Sequence, residues 1–184
     1  MSGCRVAIAS VVAVILSMAG VAASQTAADA KRAGVISSKA TLPFEDRFAI
    51  HELFARYSQA LDMGLGEELV TNVFAADGIF HDPSLCLVGH DELKKGLTTH
   101  DSHARTSQHW PNNIVITDVS GNTVKTHSYV IVFNTRGGAP TMGTYHDTLV
   151  KTNGKWLIQK REVWRPGEVK KDPRCPTDLN ALEP

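Results

Sequence analysis

The chain has 184 residues, enough for one domain with a substantial core. Lysine plus arginine number 19, and so do aspartate plus glutamate. With no charge excess, the composition does not point to nucleic acid or to an anionic membrane surface.

The first segment reads as an export signal. Residues 1–5 carry one positive charge, residues 6–21 are apolar or small, and Val21-Ala22-Ala23-Ser24 offers small residues for cleavage after Ala23 or Ser24. The apolar run is short for a membrane span and lacks a strong stop-transfer flank; a retained anchor is the alternative. Cys4 precedes the run, where a lipidated cysteine would follow it. Residues 1–24 are thus expected to be a signal peptide, and the mature protein to lie off the membrane, periplasmic or secreted. Residues 25–42, rich in Ala, Ser, Lys and Thr without apolar periodicity, read as a flexible linker. Cys86 and Cys175 then remain, and in an oxidising compartment they either bridge or stay free, because distance cannot be read from sequence.

The stretch 45–64 reads as one amphipathic helix: Ile50, Leu53, Phe54, Tyr57 and Leu61 recur at three- and four-residue steps. Pro43 stands ahead of it, Glu45 and Asp46 fall in its first turn, and Gly64 follows its last. Asp62 is out of place there. A carboxylate in the last turn faces the negative end of the helix dipole, at a cost of about 0.3–1 kcal/mol if exposed. It is either a solvated chain end or a partner for something basic. A shorter helix is expected over 67–75, with Leu69, Val70, Val73 and Phe74 inward. Asp77-Gly78 reads as a turn, 78–82 as a short strand ended by Pro83, and 91–99 as a third helix led by Gly89.

Beyond residue 104 the apolar pattern changes to period two. Four long strands are expected over 105–118, 123–135, 141–152 and 155–163, with Asn153-Gly154 a strong hairpin signal. Three helices followed by a meander argue for an α+β fold, with helices packed on one face of a curved, mixed or antiparallel sheet. Residues 43–165 would form this domain, and 166–184 an irregular tail.

A pocket between helices and a bent sheet would be lined by inward polar groups. On the second long strand, Val124, Thr126, Ser128, Val130, Val132 and Asn134 share one face. Lys125, His127, Tyr129, Ile131 and Phe133 share the other. Periodicity does not say which face is concave. His109 lies early in the first long strand, among residues too polar for a plain core strand, and a histidine paired with an aspartate is a general base. By residue type alone, a strand histidine is more often a surface or packed residue than a base. His81-Asp82 and His146-Asp147 are adjacent in strands, so their side chains diverge and neither is a ready-made dyad; Asp147 could instead pair with a basic strand residue. His100 and His103 suit a helix end. No ligand box for a metal is present, and neither metal nor cofactor is expected.

The stretch 55–74 with Asp77-Gly78, then Arg105-Thr106-Ser107-Gln108-His109, Gly143-Thr144-Tyr145-His146-Asp147 and Gly154-Lys155-Trp156, resembles a SnoaL-like domain. That is a branch of the nuclear-transport-factor-2-like superfamily of cone-shaped α+β barrels with a deep pocket. The likeness runs over about 44–164. Scytalone dehydratase, a bile-acid dehydratase and a hexachlorocyclohexane dehydrochlorinase belong to that superfamily. They share an Asp ending the first helix and a His early in the first long strand, positions matched by Asp62 and His109. Tyr57 matches a helix tyrosine of the bile-acid enzyme. The resemblance implies an Asp-His dyad that removes a proton beside an activating group, followed by elimination or isomerisation.

Asn134, Tyr145 and His81 stand where scytalone dehydratase has a histidine, an asparagine and a tyrosine, which argues against scytalone as the substrate. Asn134, Tyr145, His81 and Trp110 are the substrate-binding candidates, Trp110 either lining the pocket mouth or packing on a subunit. The expected function is that of a cofactor-independent dehydratase-type lyase or isomerase acting on a small hydrophobic, oxygenated molecule. A binding protein with the same pocket is the alternative. A homo-oligomer, dimer or trimer, is also expected.

Overall fold

The computed structural model describes residues 41–98, 106–167 and 169–182. The expected signal peptide, nearly all of the linker, and His100 and His103 lie outside the described residues. Among the described residues, no helix is long and apolar enough to cross a membrane.

Helix α1 spans Phe44–Met63. Its start follows Pro43, and its end is set by Gly64, whose left-handed backbone (φ 69°) lets its N–H reach back to the carbonyls of Ala60 and Leu61. The residues chosen by periodicity are the ones it buries: Ile50, Leu53, Phe54, Tyr57 and Leu61 are each at most 5% exposed. Asp46 in the first turn accepts hydrogen bonds from Lys151 and from the Trp156 indole, which ties the helix start to the last hairpin and draws the Asp46 pKa down.

The second helix, α2, is one α turn at Gly66–Glu68 continued by a π turn at Leu69–Val73. It ends earlier than periodicity suggests, because Phe74 already opens strand β1, Phe74–Asp82. The expected turn at Asp77-Gly78 is instead an irregularity inside β1, where its register against the neighbouring strand shifts between Phe74 and Ile79. A short strand β2, Leu85–Val88, hairpins onto β1 and leads into α3, Gly89–Thr98. Four residues are too few to carry a periodic signal, and β2 escapes the sequence reading.

The long strands are β3 (Ser107–Ser120), β4 (Thr123–Asn134), β5 (Thr141–Thr152) and β6 (Lys155–Trp164). The β5–β6 turn uses Asn153 and Gly154 at φ 52° and 78°, the paired positive values a two-residue hairpin of this twist demands. The sheet order is β2-β1-β6-β5-β4-β3, antiparallel throughout except for the parallel β1–β6 pair. The fold is therefore α+β, three helices against a six-stranded mixed sheet. The barrel expected from the resemblance is not closed, since β2 and β3 end the sheet at opposite edges. Instead of meeting β2, the β3 edge meets α1, where Asp62 takes up the His109 backbone N–H (3.0 Å) that an edge strand would leave bare.

The tail is more ordered than its composition suggests. Cys86 and Cys175 form a disulfide, Lys170 N–H bonds the Pro83 carbonyl, and Arg174 spans to Glu92. A final 3₁₀ turn at Leu179–Leu182 buries Leu179 completely. Polar spacing hides this docking, because a covalent tether and a single apolar anchor leave no periodicity. The bridge joins residues 89 apart in sequence. Replacing both cysteines by serine is expected to lower unfolding free energy by about 2–4 kcal/mol, measured by urea titration; an unchanged midpoint would contradict a stapling role.

Burial disfavours the charged form of three histidines. His81 is 1% exposed with neither ring nitrogen hydrogen-bonded. Desolvation lowers its pKa and those of His127 and His146, which sit on adjoining strands with ring centroids 4.7 Å apart. Below the ordinary histidine value the unfolded chain therefore binds more protons than the folded one. Stability should fall as pH drops from about 6.5 toward 5. Denaturation midpoints across that range check this, and His81→Gln should flatten the slope.

Candidate functional site

Helix α1 and strand β3 bring Asp62 and His109 together. His109 Nδ1 lies 2.5 Å from Asp62 Oδ1, while Oδ2 holds the His109 backbone N–H at 3.0 Å. One carboxylate thus fixes both the strand position and the ring. The cost of placing it at a helix C-terminus is answered by two donors. With Nδ1–H donated to Asp62, the basic lone pair is left on Nε2.

His109 lines a partly open cavity of about 240 Å³ bounded by α1, α3 and the inner sheet face. Its walls are mainly apolar, with Leu61, Phe80, Leu97, Val130, Val132 and Val163 among them. The inner face of β4 is thereby settled: Val124, Thr126, Ser128 and Val130 are buried, and Val130 and Val132 reach the cavity. A second cleft, open to the outside, lies between α1 and β3 and is lined by both members of the dyad.

Tyr57 and Tyr145 line the cavity as well. Behind them sits Arg161, wholly buried, on β6. Its Nε and Nη2 bond Asp147 at 2.7 and 2.9 Å, directly across the β5–β6 ladder. The guanidinium carbon lies 4.0 Å from the Tyr57 ring centroid, 4.1 Å from that of Tyr145 and 4.9 Å from that of Phe54. Burial works against the Arg161 charge, but Asp147 more than offsets it and holds the guanidinium pKa above its ordinary value. Burial raises both phenol pKa values, that of Tyr145 strongly, so both hydroxyls stay protonated and able to donate. Asp147 does pair with a strand base.

The remaining candidates stand apart from the cavity. Asn134 ends β4 beyond the cavity rim, exposed, its Oδ1 accepting the Arg136 backbone N–H of the following turn. His81 points to the covered outer side of β1, opposite Cys86, and does not line the cavity. Trp110 is 57% exposed, packs on Phe133 at 5.0 Å and borders the outer cleft instead. Alternation along the strands explains Trp110: it follows His109 and must face away from it. Arg161, and Arg165 and Asp82 at another wall of the cavity, were not singled out from the sequence. Among the described residues no group of three or more His, Cys, Asp or Glu side chains is gathered to hold a metal ion.

Solved structures share this arrangement of helices and sheet. A protein of unknown function with a cystatin-like fold from Nostoc punctiforme is 26% identical, covering 71% of this chain and 98% of its own, with a TM-score of 0.63. A candidate scytalone dehydratase from Novosphingobium aromaticivorans is 30% identical over 66% of this chain and 85% of its own, with a TM-score of 0.57. LinA, at 17% identity and a TM-score of 0.58 over 70% of this chain and 95% of its own, is similar in fold alone. No curated protein sequence matches the chain at a significant level. Residues 43–162 match the SnoaL-like domain, and the chain belongs to that family, with its nuclear-transport-factor-2-like fold.

Proposed function

We propose that the protein is a cofactor-independent lyase or isomerase that removes a proton beside a carbonyl in a small, largely apolar, oxygenated molecule. The observation that carries this is the hydrogen-bonded Asp62–His109 pair, with His109 at the wall of a cavity. His109 Nε2 takes the proton from carbon, and the Asp62 carboxylate stabilises the imidazolium that forms. The electron pair moves to the carbonyl oxygen, which accepts hydrogen bonds from the Tyr57 or Tyr145 hydroxyls. With a β-hydroxyl present, the enolate collapses, the C–O bond breaks, and the imidazolium proton leaves with hydroxide as water. With a β,γ double bond in place of the leaving group, return of the proton to the γ carbon shifts that double bond and gives isomerisation. The volume supports a small ligand: a cavity of about 150 Å³ holds benzene, so this one suits little more than one ring.

The candidate scytalone dehydratase at 30% identity supports elimination chemistry of this kind. The competing reading is a carrier that binds such molecules without turning them over, favoured by the mainly apolar walls. Assay of wild type and His109→Gln against β-hydroxy ketones and conjugated enones separates the two. Turnover by wild type alone supports the lyase, while equal binding with no turnover by either supports the carrier. The same reading takes the protein as exported, in keeping with the Cys86–Cys175 bridge. It also takes it as a homo-oligomer joined through the exposed Trp110, Tyr129, Phe133 and Met142 side of the sheet.

A further inference from the structure

The cavity has a second polar pole, far from the dyad. Arg165 follows the last residue of β6 and lines the cavity with Asp82 and Ser84. Its Nη2 donates to Asp82 Oδ2 (3.1 Å) and to Ser84 Oγ (3.0 Å). No hydrogen bond engages its Nε or Nη1 among the described residues. Asp82 is fully occupied. Its Oδ1 accepts from the Ser84 and Leu85 backbone N–H groups and the Ser84 hydroxyl, at 2.7 to 2.9 Å. The carboxylate is therefore an anchor, held by its own turn, that grips one corner of the guanidinium. The remaining donors, Nε–H and the two Nη1 hydrogens, can each give a single charge-assisted hydrogen bond to a carboxylate oxygen.

The two poles are set apart by the sheet. His109 on β3 pairs with Val132 on β4, which pairs with Thr141 on β5. Arg165 lies one strand further on, beside Gly143, where an added Cβ would come within 3.5 Å of the Arg165 Cβ. Three strand spacings separate the backbones by about 14 Å. Both side chains line the same cavity, with Val130, Val132 and Val163 among the walls they share. Apolar walls between two polar ends describe a ligand with the same layout.

Resting on the lyase reading above, we propose that the substrate carries a carboxylate at the end opposite its reacting carbonyl, and that Arg165, held by Asp82, binds that carboxylate and sets specificity. The Asp82–Arg165 pair has no net charge, so long-range attraction is weak and the preference comes from short charge-assisted hydrogen bonds. Such bonds correspond to roughly tenfold or more in affinity.

Two probes test this, 4-acetylbenzoate and 4-acetylbenzamide, which share a ring and an enolisable ketone and differ in charge at the far end. Calorimetric titration of wild type is expected to show the acid binding roughly tenfold or more tighter than the amide. Arg165→Met should bring the acid-to-amide ratio near one, and Arg165→Lys should keep it above one. Equal affinity of wild type for the two probes, or no binding of the acid, overturns the assignment, as does a ratio unchanged in Arg165→Met. Deuterium uptake at the acetyl methyl in D₂O reads the dyad separately, because it needs only proton removal and return. His109→Gln should abolish uptake and keep the binding ratio. Tighter acid binding with no uptake by wild type would sink the lyase reading and leave Arg165 as an anion contact in a carrier.

Discussion

Replacing His109 by glutamine is expected to slow proton abstraction by about 10²–10⁴-fold, the usual contribution of a positioned general base. Glutamine keeps polarity and approximate size but offers no basic nitrogen. The fold should survive, because Asp62 still holds the residue 109 backbone N–H. Asp62→Asn should fall in the same range for a different reason. The amide retains an acceptor for that N–H but loses the charge that stabilises imidazolium, and its own NH₂ can force the ring into the wrong tautomer. Circular dichroism and melting separate this from unfolding: Asp62→Asn should remain folded, whereas Asp62→Ala strands an edge N–H at a cost of about 1–3 kcal/mol. Deuterium uptake or dehydration rates for the three variants provide the check. If His109→Gln keeps wild-type rates, the dyad is not the base and the catalytic reading collapses.

The largest effect on stability is expected at Asp147. Removing it by Asp147→Leu leaves the Arg161 charge wholly buried with no counter-ion, a change that costs about 3–5 kcal/mol. For a domain of this size the melting temperature should drop by roughly 10–20 °C. The double variant Asp147→Leu/Arg161→Met should recover most of that loss, since a buried ion pair contributes little net stability over well-packed apolar groups. Activity should not recover with it. Arg161 lies against the faces of Tyr57 and Tyr145, and without its charge their hydroxyls lose an electrostatic partner facing the reacting oxygen. A double variant as stable and as active as wild type would show the pair to be filler. Thermal melts together with turnover distinguish the outcomes.

Much of the chain is legible in the sequence alone. The start and end of α1 follow from Pro43 and Gly64, and its buried face from a 3.6-residue period. The long strands follow from alternation and from turn residues such as Asn153-Gly154 that tolerate positive φ. These are local properties, set within a few residues by backbone sterics and by which side must avoid water. The dyad was partly legible: residue types and a misplaced helix-end carboxylate raised it, and family resemblance paired the two positions.

Only the tertiary structure decided which polar groups face the cavity. On β6, alternation from Trp156 and Ile158 would put Lys160 inside and Arg161 outside. The extra residue Gln159, where the β5–β6 register shifts between Thr148 and Leu149, reverses the parity and turns Arg161 and Val163 inward. A single bulge carries no sequence mark, yet it moves every later side chain to the other face. The pairing of Arg165 with Asp82, 83 residues apart, and the tethering of the tail to Cys86 likewise depend on strand order, which no local pattern encodes. By itself the sequence determined the elements and the faces each must bury. Where a buried face ends and a pocket begins was settled by how those elements meet, because register and strand order join residues with no local relation to one another.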